Sequence, residues 1–141
     1  MSLVIEETQD ITPCVALRMT VFVQEQGISA EDEVDALDAE AIHLLAVQDG
    51  VPVGTARLLL SEDGYGKIGR VCVLAQARGM GVGAALIRAG IARLRQVEGL
   101  QAVKLGAQDH AIGFYEGLGF EAYGPFYDDA GIPHRDMKLV L

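Results

Sequence analysis

The stretch Ile68-Gly69-Arg70-Val71-Cys72-Val73-Leu74, continuing over residues 75–95 as AQARGMGVGAALIRAGIARLR, decides the reading of this chain. A β-branched run passes into a loop with glycines at 79, 81 and 83. The 3.6-residue apolar period of a helix follows at once, with Ile87, Ile91 and Leu94 on one stripe. Glycine permits positive φ and lets backbone approach a ligand with no Cβ in the way. The first turn of the following helix offers unpaired N–H groups and about half a unit of positive charge. Loop and helix start together suit a phosphate or pyrophosphate, and the plain alternative is a tight turn that holds nothing. A nucleoside-triphosphate loop is excluded, because no Lys-Ser/Thr pair follows the glycines. Gly79-Met80-Gly81-Val82-Gly83-Ala84 does satisfy the G-x-G-x-x-[GA] dinucleotide pattern. Its context fails: Ala75-Gln76-Ala77-Arg78 separate it from the strand, and the next strand, QAVKLGA (101–107), ends without an acidic residue.

Working outward, residues 3–7 read as a first strand. Thr12 and Pro13 mark a helix start, Thr as N-cap, and the helix runs to about Gln26, where Gly27 stops it. Residues 28–40 read as an acidic loop, and 41–48 and 53–60 as strands joined by the turn DGVP. A further strand spans 66–74. After the glycine loop and its helix come the strand 101–107, a short helix over 109–118 with Asp109 as N-cap and Gly119 as stop, and the last strands FEAYG (120–124) and RDMKLVL (135–141). This order predicts a single α/β domain over residues 1–141 with a mixed, mostly antiparallel sheet flanked by helices, not a repeated βα ladder.

Composition narrows the function classes. With 11 basic against 20 acidic residues the formal charge is −9, which argues against a nucleic-acid footprint and fits a cationic small substrate. No apolar run reaches the roughly 18–20 residues of a membrane span, and MSLVIEETQD has neither the basic start nor the apolar core of an export signal. Cys14 and Cys72 sit in apolar surroundings without metal spacing. Two reduced, buried thiols in a cytoplasmic protein are expected, with no metal.

Arg78-Gly79-Met80-Gly81-Val82-Gly83 matches [QR]-x-x-G-x-[GA] and resembles the acyl-CoA pyrophosphate loop of the GNAT N-acetyltransferase superfamily. Residues 111–120, AIGFYEGLGF, resemble that superfamily's A-x-x-F-Y-x-x-x-G-F segment. FVQEQG, IGRV, LGAQ and DDAGIPHRDM are similar to its ElaA-like branch. The resemblance covers almost the whole chain. It implies the GNAT fold, acetyl-CoA as co-substrate, and acetyl transfer to a primary amine by direct attack. The rival class is a CoA-binding sensor or interaction module with little or no catalysis.

Residue by residue, the resemblance implies that Val71, Cys72 and Val73 line the pantetheine arm through backbone groups. The pyrophosphate would rest on the N–H groups of Gly79, Met80, Gly81, Val82, Gly83 and Ala84, with Arg78 adding charge or bracing the loop. Gln108, Ala111 and Tyr115, spaced by three and four, share one helical face if Gln108 continues the helix geometry. Gln108 stands where relatives have a cofactor-contacting Asn, and Tyr115 where the superfamily often places the acid that protonates the departing thiolate. Gly113 and Gly117 form a bare stripe open to close packing.

The base is not singled out. Glu31, Asp32, Glu33, Asp35, Asp38 and Glu40 crowd one loop, as a solvated run or as an attractor of cations. Glu25, near the end of the first helix, and His134, in GIPH, are candidates for catalysis and acceptor binding, and His43 for acceptor binding. His110 opens the short helix beside the cofactor. Arg57, a charge within the strand GTARLLL, reads as a binder of an acceptor anion or as a solvent-facing edge residue. A small-molecule amine is the expected acceptor. Edge strands make a homodimer an expectation too.

Overall fold

The computed structural model describes residues 2–33 and 35–141. Seven strands form one sheet: β1 (Leu3–Thr8), β2 (Ile42–Gln48), β3 (Val51–Leu60), β4 (Tyr65–Val73), β5 (Ala102–Gln108), β6 (Glu121–Asp129) and β7 (Ile132–Val140). Their order is β1-β2-β3-β4-β5-β7-β6. All neighbours are antiparallel except β4 and β5, so the expected mixed, mostly antiparallel sheet is present.

Helix α3 (Val82–Arg95) lies on one face of the sheet and buries Leu86, Ile87 and Leu94 completely. Each such side chain contributes about 1.5–3 kcal/mol on removal from water. Two glycines let the helix lie close. A Cβ at Gly54 would stand 2.9 Å from the Cys72 carbonyl oxygen and 3.1 Å from Leu86, and one at Gly90 would press on Ile68 and Leu58 at 3.2 Å. The opposite face of β2, β3 and β4 is covered by α1 (Thr12–Arg18) and a π-helical continuation (Met19–Glu25). There Cys14, Leu17, Val21, Phe22, Leu45 and Cys72 make a second apolar cluster.

Several elements differ from the sequence reading. Thr12 is the first helical residue rather than the cap; its N–H donates to Asp10 Oδ1 at 3.1 Å. The first helix widens to i→i+5 bonding, with Gln26 N donating to Val21 O at 3.0 Å, before Gly27 ends it at φ +76°. Residues 28–40 are not simply loop: α2 (Ala30–Glu33) and a 3₁₀ turn (Ala36–Ala39) occupy them, the turn capped by Asp35, which accepts from Leu37 N. The segment read as a connection, PFYDDAGIPH, is a β-hairpin turning at Ala130 and Gly131, both at positive φ. The short helix is a 3₁₀ turn (Asp109–Ala111) leading into α4 (Ile112–Glu116). Nothing packs against Gly113, so the expected close contact on that stripe is not made.

Candidate functional site

The site originates in a failure of two strands to stay paired. β4 and β5 run parallel only at Tyr65–Ala102, Gly66–Val103 and Lys67–Lys104. Beyond that they diverge, β5 following its antiparallel partner β7 as far as Gln108 and His134. A bulge in β4 drives the split. Thr55 and Arg57 of β3 pair with Cys72 and Gly69, so β4 carries an extra residue there. The strained residue is Arg70, at φ +51°, and not the glycine before it. The gap opens into a cavity of about 800 Å³. Its walls are β4 from Lys67 to Val73, the loop and first turn of α3, the 110–115 turn, the end of the first helix, and the β6–β7 hairpin.

Leu74 N donates to Val53 O of β3 at 2.8 Å. Strand alternation therefore turns the N–H groups of Val73 and Val71 toward the gap. The Cys72 side chain points the other way, into the cluster under the first helix, where burial pushes its thiol up to about 12. It is no nucleophile at neutral pH. Cys14 is likewise a free, buried thiol.

Gly79 and Gly81 take φ of +78° and +81°, a conformation that turns the chain sharply into α3. No side chain caps the helix, so its first N–H groups are left to whatever enters the cavity. Gly79, Gly81, Val82, Gly83 and Ala84 line that cavity. Met80 does not line it, and its side chain is 44% exposed. Arg78 resolves to a brace. Its Nη1 and Nη2 donate to the two oxygens of Glu25 at 2.5 and 2.8 Å, and its Nε donates to Val73 O at 3.0 Å. The loop is thereby tied to the end of the first helix. Hydrogen bonds from Arg78 hold the Glu25 carboxyl below its ordinary range, and Glu25 itself lines the cavity.

On the facing wall the structure brings Gln108, Ala111 and Tyr115 together on the cavity. The Gln108 and Gln26 amides exchange hydrogen bonds of 3.0 and 3.4 Å across the cleft. Tyr115 stands edge-on to Phe114 and Phe120, with centroids 5.0 and 6.0 Å away. Burial alone pushes its phenol up to about 12, so it remains a proton donor through the neutral range. His134 also reaches the cavity. Its Nδ1 lies 2.8 Å from Ile132 O, an acceptor only, so Nδ1 carries the proton and Nε2 of the neutral ring keeps its lone pair. Tyr127 stacks on it at 5.9 Å and donates its hydroxyl to Asp136 at 2.8 Å. His110, though exposed, lies on the cavity rim.

Two expectations for the acceptor side are corrected. Arg57 is only 5% exposed, lies outside the cavity, and bonds Asp35 at 2.7 Å and Asp38 at 3.1 Å. His43 is 3% exposed and also outside it, with Nε2 2.9 Å from Asp38 O. The acidic run is not one solvated stretch. Glu33, Asp35 and Asp38 alternate with Arg18, Arg57 and Arg70 in a closed ring of six charges, with contacts of 2.6–3.4 Å. Burial of opposite charges requires such pairing. Only Glu33 and Arg70 of the ring reach the cavity.

The sequence reading missed Gln26, Lys67, Phe114, Tyr127 and Asp129 as lining residues, and named Glu33 only within the acidic run. Arginines inside apolar runs, as in VALRMTVF and GTARLLL, were the available signal for buried acidic partners.

A family model described as acetyltransferase (GNAT) domain matches residues 14–141. Protein ElaA of Escherichia coli (strain K12) is 36% identical over 124 residues, covering 86% of this chain and 81% of ElaA. The crystal structure of E. coli ElaA superposes with a TM-score of 0.86 over 98% of this chain and 99% of that one, at 28% identity. An acyl-CoA N-acyltransferase from Pseudomonas aeruginosa gives a TM-score of 0.84 at 32% identity, covering 98% of each chain. A GNAT family acetyltransferase from Elizabethkingia anophelis, solved with acetyl-CoA bound, shares the fold at a TM-score of 0.76 and 16% identity, over 99% of this chain and 98% of that one. Split sheet, glycine loop and matched family model agree, and the chain belongs to the GNAT acetyltransferases, in their ElaA-like branch.

Proposed function

We propose that this protein transfers an acetyl group from acetyl-CoA to the primary amine of a small molecule. The observation that carries the reading is the opening of β4 away from β5. It leaves main-chain N–H groups of Val71 and Val73 facing a cavity that also holds the glycine loop and Tyr115. The cavity fits the co-substrate. Its volume lies within the range of ligand sites, and the uncapped start of α3 with Gly79 and Gly81 suits a diphosphate.

Acetyl-CoA supplies an acetyl group already activated as a thioester. The chain's part is positioning and proton handling. Main-chain N–H groups on β4 are set to receive the negative charge that develops on the carbonyl oxygen. Tyr115, uncharged at neutral pH, gives a proton to the departing sulfur. His134 Nε2 takes one from the ammonium, directly or through water, and also contacts the acceptor. Glu25 positions the loop through Arg78.

Thiol release from acetyl-CoA with a panel of primary amines tests the reading, alongside thermal stabilisation by acetyl-CoA. Transfer with saturation in both substrates is expected. Absence of stabilisation by any acyl-CoA would reject it.

A further inference from the structure

All three lysines of this chain, Lys67, Lys104 and Lys138, stand side by side in one row across three neighbouring strands. Lys67 of β4 pairs with Lys104 of β5, and Lys104 pairs with Lys138 of β7. Their sequence neighbours Gly66, Ile68, Val103, Leu105 and Met137 are buried. Alternation therefore puts the row on the sheet face away from α3.

Like charges directly opposite one another across strands are destabilising. None of the three makes an ion pair among the described residues, although acids outnumber bases 20 to 11. Glu121, the other cross-strand neighbour of Lys138, and Asp136, two residues along β7 and accepting from Tyr127, stand beside the row without forming an ion pair with a lysine. The ammonium groups rest instead on aromatic faces, Lys104 4.2 Å from the Tyr65 centroid and Lys138 5.6 Å from that of Tyr123. An aromatic face orients a cation without neutralising it. Lys67 lines the cavity itself, so the row continues into the candidate active site.

We propose that this lysine row binds an oxyanion carried by the acceptor, so that the substrate is an amine bearing a phosphate or carboxylate group. The inference rests on the acetyl-transfer reading above. It reverses the expectation from net charge, because the excess of acids lies elsewhere. From Lys138 to His134 is four residues, or about 13 Å along the strand, which sets the scale of the spacing between amine and anion.

The test uses the full chain with saturating acetyl-CoA, or CoA for binding, so that the glycine loop is filled and cannot capture the probe. Glucosamine 6-phosphate is compared with glucosamine, and 6-aminohexanoate with hexylamine, at fixed ionic strength. A preference of about tenfold or more in kcat/KM for an anionic member is expected, the size a charge-assisted contact gives. The phosphate and carboxylate arms tell the two oxyanions apart. Lys104→Gln and Lys138→Gln should erase the preference and leave the KM for acetyl-CoA unchanged. A merely structural lysine would leave the preference between the paired substrates unchanged. Equal use of both members of each pair, or a preference surviving in both variants, overturns the proposal and leaves acetyl transfer standing. If no amine is acetylated, binding decides: calorimetry showing glucosamine 6-phosphate bound to the CoA-loaded protein and lost in Lys104→Gln supports the row, and no binding overturns it. Failure of acetyl-CoA itself to bind strikes only the earlier reading.

Discussion

Replacing Asp38 by asparagine breaks the charge ring where one carboxylate joins Arg18 to Arg57. Asp38 accepts from Arg18 at 3.0 and 2.7 Å and from Arg57 at 3.1 Å. Burial would raise its pKa. The hydrogen bonds and charges of the two arginines outweigh that and hold it at about 2, against an ordinary 3.8. At about 1.4 kcal/mol per tenfold change in proton affinity, the difference corresponds to about 2 kcal/mol of stability at neutral pH. The side chain is 15% exposed, so solvent screening removes little of this. Cutting a fully buried ion pair costs about 3–5 kcal/mol, and an amide oxygen still accepts one hydrogen bond, so a loss of about 2–4 kcal/mol is expected.

The sign follows from the depressed pKa. The contribution is complete above pH 4 and is lost as pH falls through 2. Asp35 behaves alike, its carboxyl lowered by a hydrogen bond from Arg57. Urea unfolding of parent and Asp38→Asn proteins at pH 7 should therefore differ by that amount, and the two curves should approach each other near pH 2.5. A difference below about 0.5 kcal/mol at pH 7, or one of equal size at both pH values, would refute the ring as a source of stability.

Tyr115→Phe should lower kcat by about 10²-fold while the KM for acetyl-CoA stays within about twofold; an unchanged kcat rejects the proton-donor role. Gly81→Val forces a β-branched residue into φ +81°, at about 1–2 kcal/mol, and should raise the KM for acetyl-CoA more than tenfold. If that KM is unmoved, the loop does not hold the diphosphate. Arg78→Met removes the hydrogen bonds that depress Glu25, so an NMR titration should find the Glu25 pKa higher than in the parent; an unshifted value means the pair does not form in solution.

The parts of the site that local rules govern were legible. Gly79 and Gly81 are required by φ and the apolar stripe of α3 by its period, whereas Gln108 ends β5 in extended geometry and joins Ala111 and Tyr115 on the cavity without sharing a helical face. What depends on sheet register was not. Arg18, Arg57 and Arg70 meet their acids across 15 to 37 residues, so the acidic run read as a solvated loop. The strands read at 120–124 and 135–141 left 125–134, with Pro125 and Gly131, as a connection. Pairing with β7 overrides it: β6 absorbs extra residues between Tyr123 and Tyr127, and the hairpin carries Tyr127 and His134 onto the cavity.

Register also decides how charge should be interpreted. A net charge of −9 describes the far field of the molecule, and inside the Debye length of about 8 Å the local arrangement governs instead. Within that range three of the acids are cancelled by three arginines of the ring. Glu25 is cancelled by Arg78. Of the charges left without an ion pair among the described residues, Lys67 of the lysine row and Asp129 line the cavity. Under the proposal above, the lysine row gives an acidic protein a basic face toward its second substrate, and cross-strand pairing builds that face where composition alone points the other way.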